Sequence, residues 1–66
     1  MQIILNGQQK EFQGTISLKG IIEQFSKETK HVIAEVNGTI IKNSQWESRI
    51  LAAGDTVELV NLVGGG

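Results

Sequence analysis

The sequence predicts an α+β fold in which one main helix packs on one face of a mixed sheet of four to five strands. Two Asn–Gly pairs, Asn6-Gly7 and Asn37-Gly38, each lie between short β-prone segments and predict two hairpins. A stripe of apolar residues with helical spacing lies between the hairpins, and the longest β-prone run comes last. With the helix as a crossover, the last strand can lie beside the first in the middle of the sheet.

The first hairpin is predicted from residues 1–5 and 8–12. Since side chains alternate between the faces of a strand, Met1, Ile3 and Leu5 are expected on one face and Ile4 on the other. Ile4 is therefore a candidate for an exposed apolar residue.

The predicted helix begins after Gly14, where Thr15 or Ser17 can cap the first turn. Gly20 inside the helix costs about 1 kcal/mol relative to Ala, and it either marks a close contact with the sheet or has no special role. The i, i+3, i+4, i+7 stripe that we expect to face the core consists of Leu18, Ile21, Ile22 and Phe25.

The second half of the chain is predicted as a hairpin, a loop or helical turn over residues 43–49, and a central strand over residues 56–63. Trp46 is expected to cover the core, with a binding role as the alternative. Ile50 and Leu51 are expected to fill the core. In the last strand, Val57 and Leu59 are expected to face the helix.

Composition narrows the possible functions. The chain has 66 residues, a net charge of −1, no Cys and a single His, so neither a disulfide nor a structural metal is expected. The charges alternate in sign without a basic stripe, which argues against a nucleic-acid partner. No Ser, His and Asp arrangement suggests an enzyme. Without a signal peptide or a long apolar run, we expect a soluble protein in the cytoplasm with no membrane partner.

The chain ends in three glycines, and we expect a domain over residues 1–63 followed by a flexible tail over residues 64–66. Because glycine has no side chain, Gly64, Gly65 and Gly66 form a thin thread that can carry the terminal carboxylate about 10 Å beyond the last packed side chain. The functional interpretation is a carrier whose reactive group is the Gly66 carboxylate. A frayed end is the alternative.

An apolar patch is expected on the face of the sheet that the helix leaves open, close to the tail. A cluster of this kind often marks a binding surface. The candidate partner-binding residues are Val60, Leu62, Ile4 and Val63, with Ile33 as a further member.

Several short motifs occur in the order found in one known family. The start Met1-Gln2-Ile3, the two Asn–Gly turns, the Gly54-Asp55 turn before the last strand, Gln45-Trp46 and the terminal Gly65-Gly66 resemble the ThiS family of ubiquitin-like sulfur carriers. The resemblance covers the whole chain and implies a β-grasp fold.

The resemblance also implies a reaction cycle on Gly66. A ThiF-like adenylyltransferase would use ATP and magnesium to convert the carboxylate of Gly66 into an acyl-adenylate. Sulfur from a cysteine desulfurase would then displace AMP and leave a thiocarboxylate. A ThiG-like thiazole synthase would take that sulfur for the thiazole of thiamin. The carrier would be a co-substrate, not an enzyme, and would bind no cofactor itself.

Three alternatives stay open at this point. The small subunit of molybdopterin synthase has the same ending and activation chemistry, in chains that are usually longer. A carrier for transfer-RNA thiolation or protein tagging is a second alternative. A ubiquitin-like interaction module without acyl chemistry is the third.

Overall fold

Over the residues that the structure describes, the fold is a five-stranded mixed sheet with one α-helix, as predicted. A computed structural model of the chain describes residues 1–26 and 30–61. The elements in chain order are β1 (Gln2–Leu5), β2 (Gln8–Glu11), α1 (Leu18–Phe25), β3 (Val32–Val36), β4 (Thr39–Ile41), a 3-10 turn (Asn43–Gln45) and β5 (Thr56–Asn61).

The last strand lies in the centre of the sheet, whose strand order is β2-β1-β5-β3-β4. β5 pairs parallel with β1, with Ile4 opposite Thr56 and Leu5 opposite Val57. On its other side β5 pairs antiparallel with β3. A parallel pair needs a crossover connection, which α1 and the second hairpin provide here. The predicted position of the last strand beside the first is confirmed.

Both predicted hairpins are present and close with two-residue turns. Asn6 and Asn37 have φ angles of 49° and 53°, and the glycines that follow them have φ angles of 83° and 84°. Positive φ at both central positions defines the type I′ turn, whose twist matches that of the two strands it connects. Asn–Gly is the preferred pair in such turns because both residues tolerate this conformation.

Of the two candidate caps, Ser17 begins the helix. Its Oγ accepts a hydrogen bond from the Gly20 N–H at 3.0 Å, which satisfies a donor that the helix itself leaves unpaired. A Cβ at Gly20 would lie 3.1 Å from Cγ1 of Ile16. Of the two alternatives left open for Gly20, the close contact with the sheet is not found among its nearest neighbours, which belong to the segment before the helix. Among the described residues, no helix is long and apolar enough to cross a membrane.

The core lies between α1, the inner face of the sheet and the late loop. Trp46 covers it as predicted, and its Nε1–H donates to the Ile41 carbonyl at 2.9 Å, so the buried indole keeps a polar partner. The buried apolar side chains are Ile3, Leu5, Leu18, Ile21, Ile22, Val32, Ala34, Val36, Trp46, Leu51 and Val57.

Two predicted core residues are exposed instead. Phe25 is 43% exposed because it is the last residue of α1, and its ring packs edge-on against Phe12 at a centroid distance of 6.1 Å. Ile50 is 48% exposed, whereas Leu51 is buried. Ile50 forms an isolated bridge with Ser17, and neighbouring residues in extended backbone point to opposite sides, so only one of the pair can enter the core.

A buried carboxylate fixes the loop that leads into β5. Asp55 is 9% exposed. Its Oδ1 accepts from Nδ2 of Asn37 at 3.0 Å, and its Oδ2 accepts from the Ala52 N–H at 2.8 Å. Nη2 of Arg49 lies 4.0 Å from the same Oδ2. The two hydrogen bonds and the nearby guanidinium thus replace the water that the Asp55 carboxylate loses on burial.

These contacts act on the pKa in opposite directions. Burial alone would raise the pKa of the Asp55 carboxyl. The hydrogen bonds from Ala52 and Asn37, together with the charge of Arg49, outweigh burial, and the pKa is lowered from its ordinary value. The folded state therefore prefers the ionised carboxylate.

Asp55→Asn is expected to reduce the free energy of unfolding at neutral pH by about 1 to 3 kcal/mol. An amide at position 55 must turn its NH₂ group toward either Asn37 or Ala52, both of which donate. Because folding lowers the Asp55 pKa, its contribution is complete above the ordinary aspartate pKa of about 3.9 and is lost as the pH falls through the folded value.

Urea unfolding of the wild type and Asp55→Asn over a range of pH measures this contribution. The difference in free energy of unfolding between the two proteins should be largest near neutral pH and should shrink as the pH becomes acidic. Glu47→Gln makes the same change of charge at an exposed carboxylate and should differ little from the wild type. A difference that keeps its size into acid would contradict the assigned role of Asp55.

Candidate functional site

The central strand β5 is the element that leads to the predicted reactive end. Asn61 is its last residue. The predicted site residues Leu62, Val63, Gly64, Gly65 and Gly66 lie outside the described residues, as does the predicted boundary between domain and tail. Covalent geometry limits the five residues after Asn61 to a span of about 17 Å. The direction of β5 therefore sets the region that the chain end can reach.

Both turn asparagines bind β5 through backbone and side chain. The Asn37 N–H donates to the Thr56 carbonyl at 2.7 Å, and the Thr56 N–H donates to Oδ1 of Asn37 at 2.9 Å. The Asn6 N–H donates to the Val57 carbonyl at 2.9 Å, and the Leu59 N–H donates to Oδ1 of Asn6 at 2.8 Å. Each Asn–Gly turn thus closes its own hairpin and also holds the final strand.

The sequence predicts these turns but not their contacts with β5. An Asn–Gly pair predicts the local backbone conformation, which depends on adjacent residues alone. The partners of the two side chains lie 19 and 53 residues away in the sequence. No local pattern indicates contacts over such separations.

The open face of the sheet carries part of the predicted apolar patch. Val60 is 46% exposed and lies directly opposite the half-buried Ile33 on β3. Ile40 on the neighbouring strand β4 is 60% exposed and was not predicted as a member. The signal that could have identified it is the hairpin register, which places Ile40 opposite the outward-facing Glu35.

Ile4 lies apart from this patch. It pairs with Thr56, and Val60 lies four residues farther along β5, about 13 Å away. Glu58 occupies the intervening position of the open face, directly opposite Glu35. The structure therefore brings Val60 and Ile33 together and separates both from Ile4. Ile4 instead borders a shallow cavity of about 390 Å³ that is also lined by Gln2, Gln9, Ala53 and Gly54.

Two acidic side chains divide the open face. Like charges directly opposite each other destabilise a strand pair, so the Glu35 and Glu58 pair does not serve the stability of the sheet. Over residues 1–26 and 30–61, no group of three or more His, Cys, Asp or Glu side chains could hold a metal ion. The open face thus presents acidic side chains beside the apolar pair Val60 and Ile33.

Sequence comparison identifies relatives of this chain. The ThiS family model matches residues 3–66. The uncharacterized protein ycf40 of Trieres chinensis is 31% identical over 62 residues, which cover 94% of this chain and 85% of that protein. A thiazole synthase of Paramagnetospirillum magneticum is 24% identical over 66 residues, which cover 100% of this chain and 20% of the synthase. This chain therefore spans about a fifth of that relative.

Solved structures share the fold. The crystal structure of the thiamine biosynthesis protein ThiS from Geobacter metallireducens matches with a TM-score of 0.84 at 22% identity, covering 100% of both chains. The solution structure of a thiamine biosynthesis protein from the same organism matches with a TM-score of 0.81 at 22% identity, covering 100% of this chain and 88% of that one. The predicted β-grasp architecture is confirmed. Since the family model matches nearly the whole sequence, this chain belongs to the ThiS family.

Proposed function

We propose that this protein is a sulfur carrier for the thiazole ring of thiamin, with the carboxylate of Gly66 as the group that is activated and loaded. The observation that carries the proposal is the position of β5. This strand lies in the centre of the sheet, pairs with β1 at its first two residues and with β3 from Val57 to Asn61, and ends five residues before Gly66. A strand paired in this way fixes the point from which the chain end starts, so a partner enzyme that binds the folded body meets the chain end in a defined region.

The proposed chemistry takes place on the terminal carboxylate. A free carboxylate is a poor electrophile, so a ThiF-like adenylyltransferase joins it to the AMP part of ATP and releases pyrophosphate, with magnesium bound by the enzyme and its nucleotide. The outer sulfur of a persulfide formed by a cysteine desulfurase then attacks the acyl carbon, and AMP leaves. A thiol reduces the S–S bond of the resulting acyl disulfide, which leaves the thiocarboxylate on Gly66. The sulfur travels on the acyl carbon, which explains how a chain without Cys can carry it.

In these steps the carrier provides a narrow chain end and a surface that binds the enzyme, and the partner enzymes provide the catalytic groups. Gly64 and Gly65 add no side chains that could obstruct a narrow channel leading to the nucleotide. The folded body then serves to bind the enzyme while the chain end enters that channel. In this division of roles, the carrier is a co-substrate.

The open face of the sheet is the proposed docking surface. In the described part of the chain, a single helix covers one face of the sheet, and the other face carries Val60 and Ile40 with large exposed fractions. Val60 is the second-last residue of β5, so a partner bound there lies within the reach of the chain end. Leu62 and Val63 continue the sequence from this point and are proposed to take part.

The relatives favour thiazole synthesis as the pathway. In Paramagnetospirillum magneticum, a chain named thiazole synthase contains a stretch that is similar to this entire chain. A single polypeptide that is named thiazole synthase therefore also contains a segment similar to this carrier. This supports a ThiG-like thiazole synthase as the acceptor of the sulfur.

Loading is tested by intact-mass measurement after incubation with ATP, magnesium, cysteine, a thiol reductant, a ThiF-like adenylyltransferase and a cysteine desulfurase. We expect the wild type to gain the mass difference between sulfur and oxygen. Deleting Gly66 should abolish the gain, because the new chain end stops one residue short of the reactive position. Thermal unfolding should be unchanged by the deletion, since the described core lies within residues 3–57.

Two results would overturn the carrier role. One is a wild type that gains no mass with active partners, as an interaction module would behave. The other is a deletion variant that loads like the wild type.

Supplying the loaded protein to a thiazole synthase and, separately, to a molybdopterin synthase large subunit then tests the pathway. Sulfur consumed by the second enzyme alone would move the assignment to molybdopterin synthesis.

Val60→Asp is expected to raise the KM of loading by about 10-fold, because a charge replaces an apolar contact at the docking surface. Stability should fall by about 1 kcal/mol or less, since Val60 is half exposed. Ile50→Asp is the matched control. Ile50 has nearly the same exposed fraction but pairs with Ser17 at the start of α1, so its substitution should leave KM unchanged. Equal effects of the two variants would argue against docking through the open face.

A further inference from the structure

The two sides of β5 are paired over different lengths. On the β3 side the pairing runs from Val57, opposite Val36, to Asn61, opposite Val32. On the β1 side the register ends at Val57, opposite Leu5. β1 goes no farther because the type I′ turn at Asn6 directs the chain away to β2. The half of β5 nearest the chain end thus lacks a neighbouring strand on one side.

Asn6 supplies the contact that β1 lacks. Backbone groups alternate along a strand, so the next N–H that faces β1 after Val57 is that of Leu59. This N–H donates to Oδ1 of Asn6 at 2.8 Å, while the Asn6 N–H donates to the Val57 carbonyl at 2.9 Å. The side-chain oxygen takes the place of a strand carbonyl and extends the contact two residues toward the chain end.

Two properties of Asn6 are needed at once for this contact. The turn requires a positive φ, here 49°, which Asn tolerates better than most residues. The Leu59 N–H requires an acceptor on a short side chain. Gly would satisfy the first requirement alone. Asp would satisfy both, because it also tolerates the left-handed conformation and presents a carboxylate oxygen.

We propose that Asn6 is a positioning residue for sulfur loading: its side-chain oxygen holds the end of β5 so that the folded body sets the direction in which the chain end leaves. This role rests on the proposed function. Asn6 takes no part in the chemistry and is 53 residues from Leu59 in the sequence. Its effect on Gly66 is transmitted through β5.

The role predicts an effect on kcat and none on KM. Docking through the open face does not involve Asn6, so the affinity for the adenylyltransferase should be kept. Delivery of the carboxylate to the nucleotide follows docking and requires a correct approach, in which small misplacements are costly. Asn6→Gly should therefore lower the kcat of loading by a factor of about 3 to 10.

The test compares three variants of the full chain with the wild type. Asn6→Gly removes the oxygen and keeps the turn, and Asn6→Asp keeps both. Ser17→Ala removes the helix cap, on the side of the sheet away from the open face, and costs about 1 kcal/mol. It controls for a general loss of stability. Asn6→Asp and Ser17→Ala should load with the kcat of the wild type.

Amide hydrogen exchange provides a readout that needs no partner enzyme. In Asn6→Gly, exchange at the Leu59 amide should accelerate about 2- to 10-fold, as expected for the loss of one hydrogen bond. The amide of Glu58 points to the β3 side by alternation and serves as the internal reference. Its exchange rate should change less than that of Leu59.

The possible failures are distinguishable. If the wild type is not loaded at all, the carrier function and the positioning role both fall. If the wild type is loaded and Asn6→Gly has an unchanged kcat, only the positioning role falls, whatever the exchange rates show. A loss of kcat in Ser17→Ala equal to that in Asn6→Gly would assign the effect to stability and would also overturn the role. If the exchange rate of the Leu59 amide is unchanged in Asn6→Gly, the hydrogen bond from this amide to Asn6 does not protect it, and the inference loses its basis.

Discussion

The parallel pairing of β1 with β5 is the constraint on which the rest of the structure depends. It joins the first and last strands in the centre of the sheet, with Ile4 opposite Thr56 and Leu5 opposite Val57. Since parallel strands need a crossover, the connecting segment must pass over one face, and α1 covers that face. The opposite face stays open. The strand that leads to the chain end is therefore paired with β1 at Thr56 and Val57 and with β3 from Val57 to Asn61, and it has an open surface beside it.

The ends of this central strand are held by polar contacts. The buried Asp55 fixes the loop before β5 by accepting from Asn37 and Ala52, and Asn6 holds the strand farther along at Leu59. The Asp55 carboxylate in particular needs its donors, because burial removes it from water. Apolar burial thus supplies the driving force for folding, and these few polar contacts fix the position of β5 within the core.

The architecture separates recognition from chemistry. The inner face of the sheet is used for stability, the open face offers Val60, Ile33 and Ile40 to a partner, and the chain end is the proposed reactive group. In such a protein the surface can change without disturbing the core, because successive residues of β5 point to opposite faces. The opposed Glu35 and Glu58 illustrate this freedom, since they weaken the sheet locally and yet occupy its most central position.

The sequence by itself determined the features that depend on neighbouring residues: the two Asn–Gly turns, the stripe that buries Leu18, Ile21 and Ile22, and the order of the elements. Only the tertiary structure decided where each element ends relative to the others. Phe25 is exposed because the helix ends there, and Ile4 is distant from Val60 because the register places it opposite Thr56. The contact of Asn6 with β5 was also beyond local reasoning. Register and long-range hydrogen bonds join segments that are far apart in the chain, and packing of the whole sheet is what selects them.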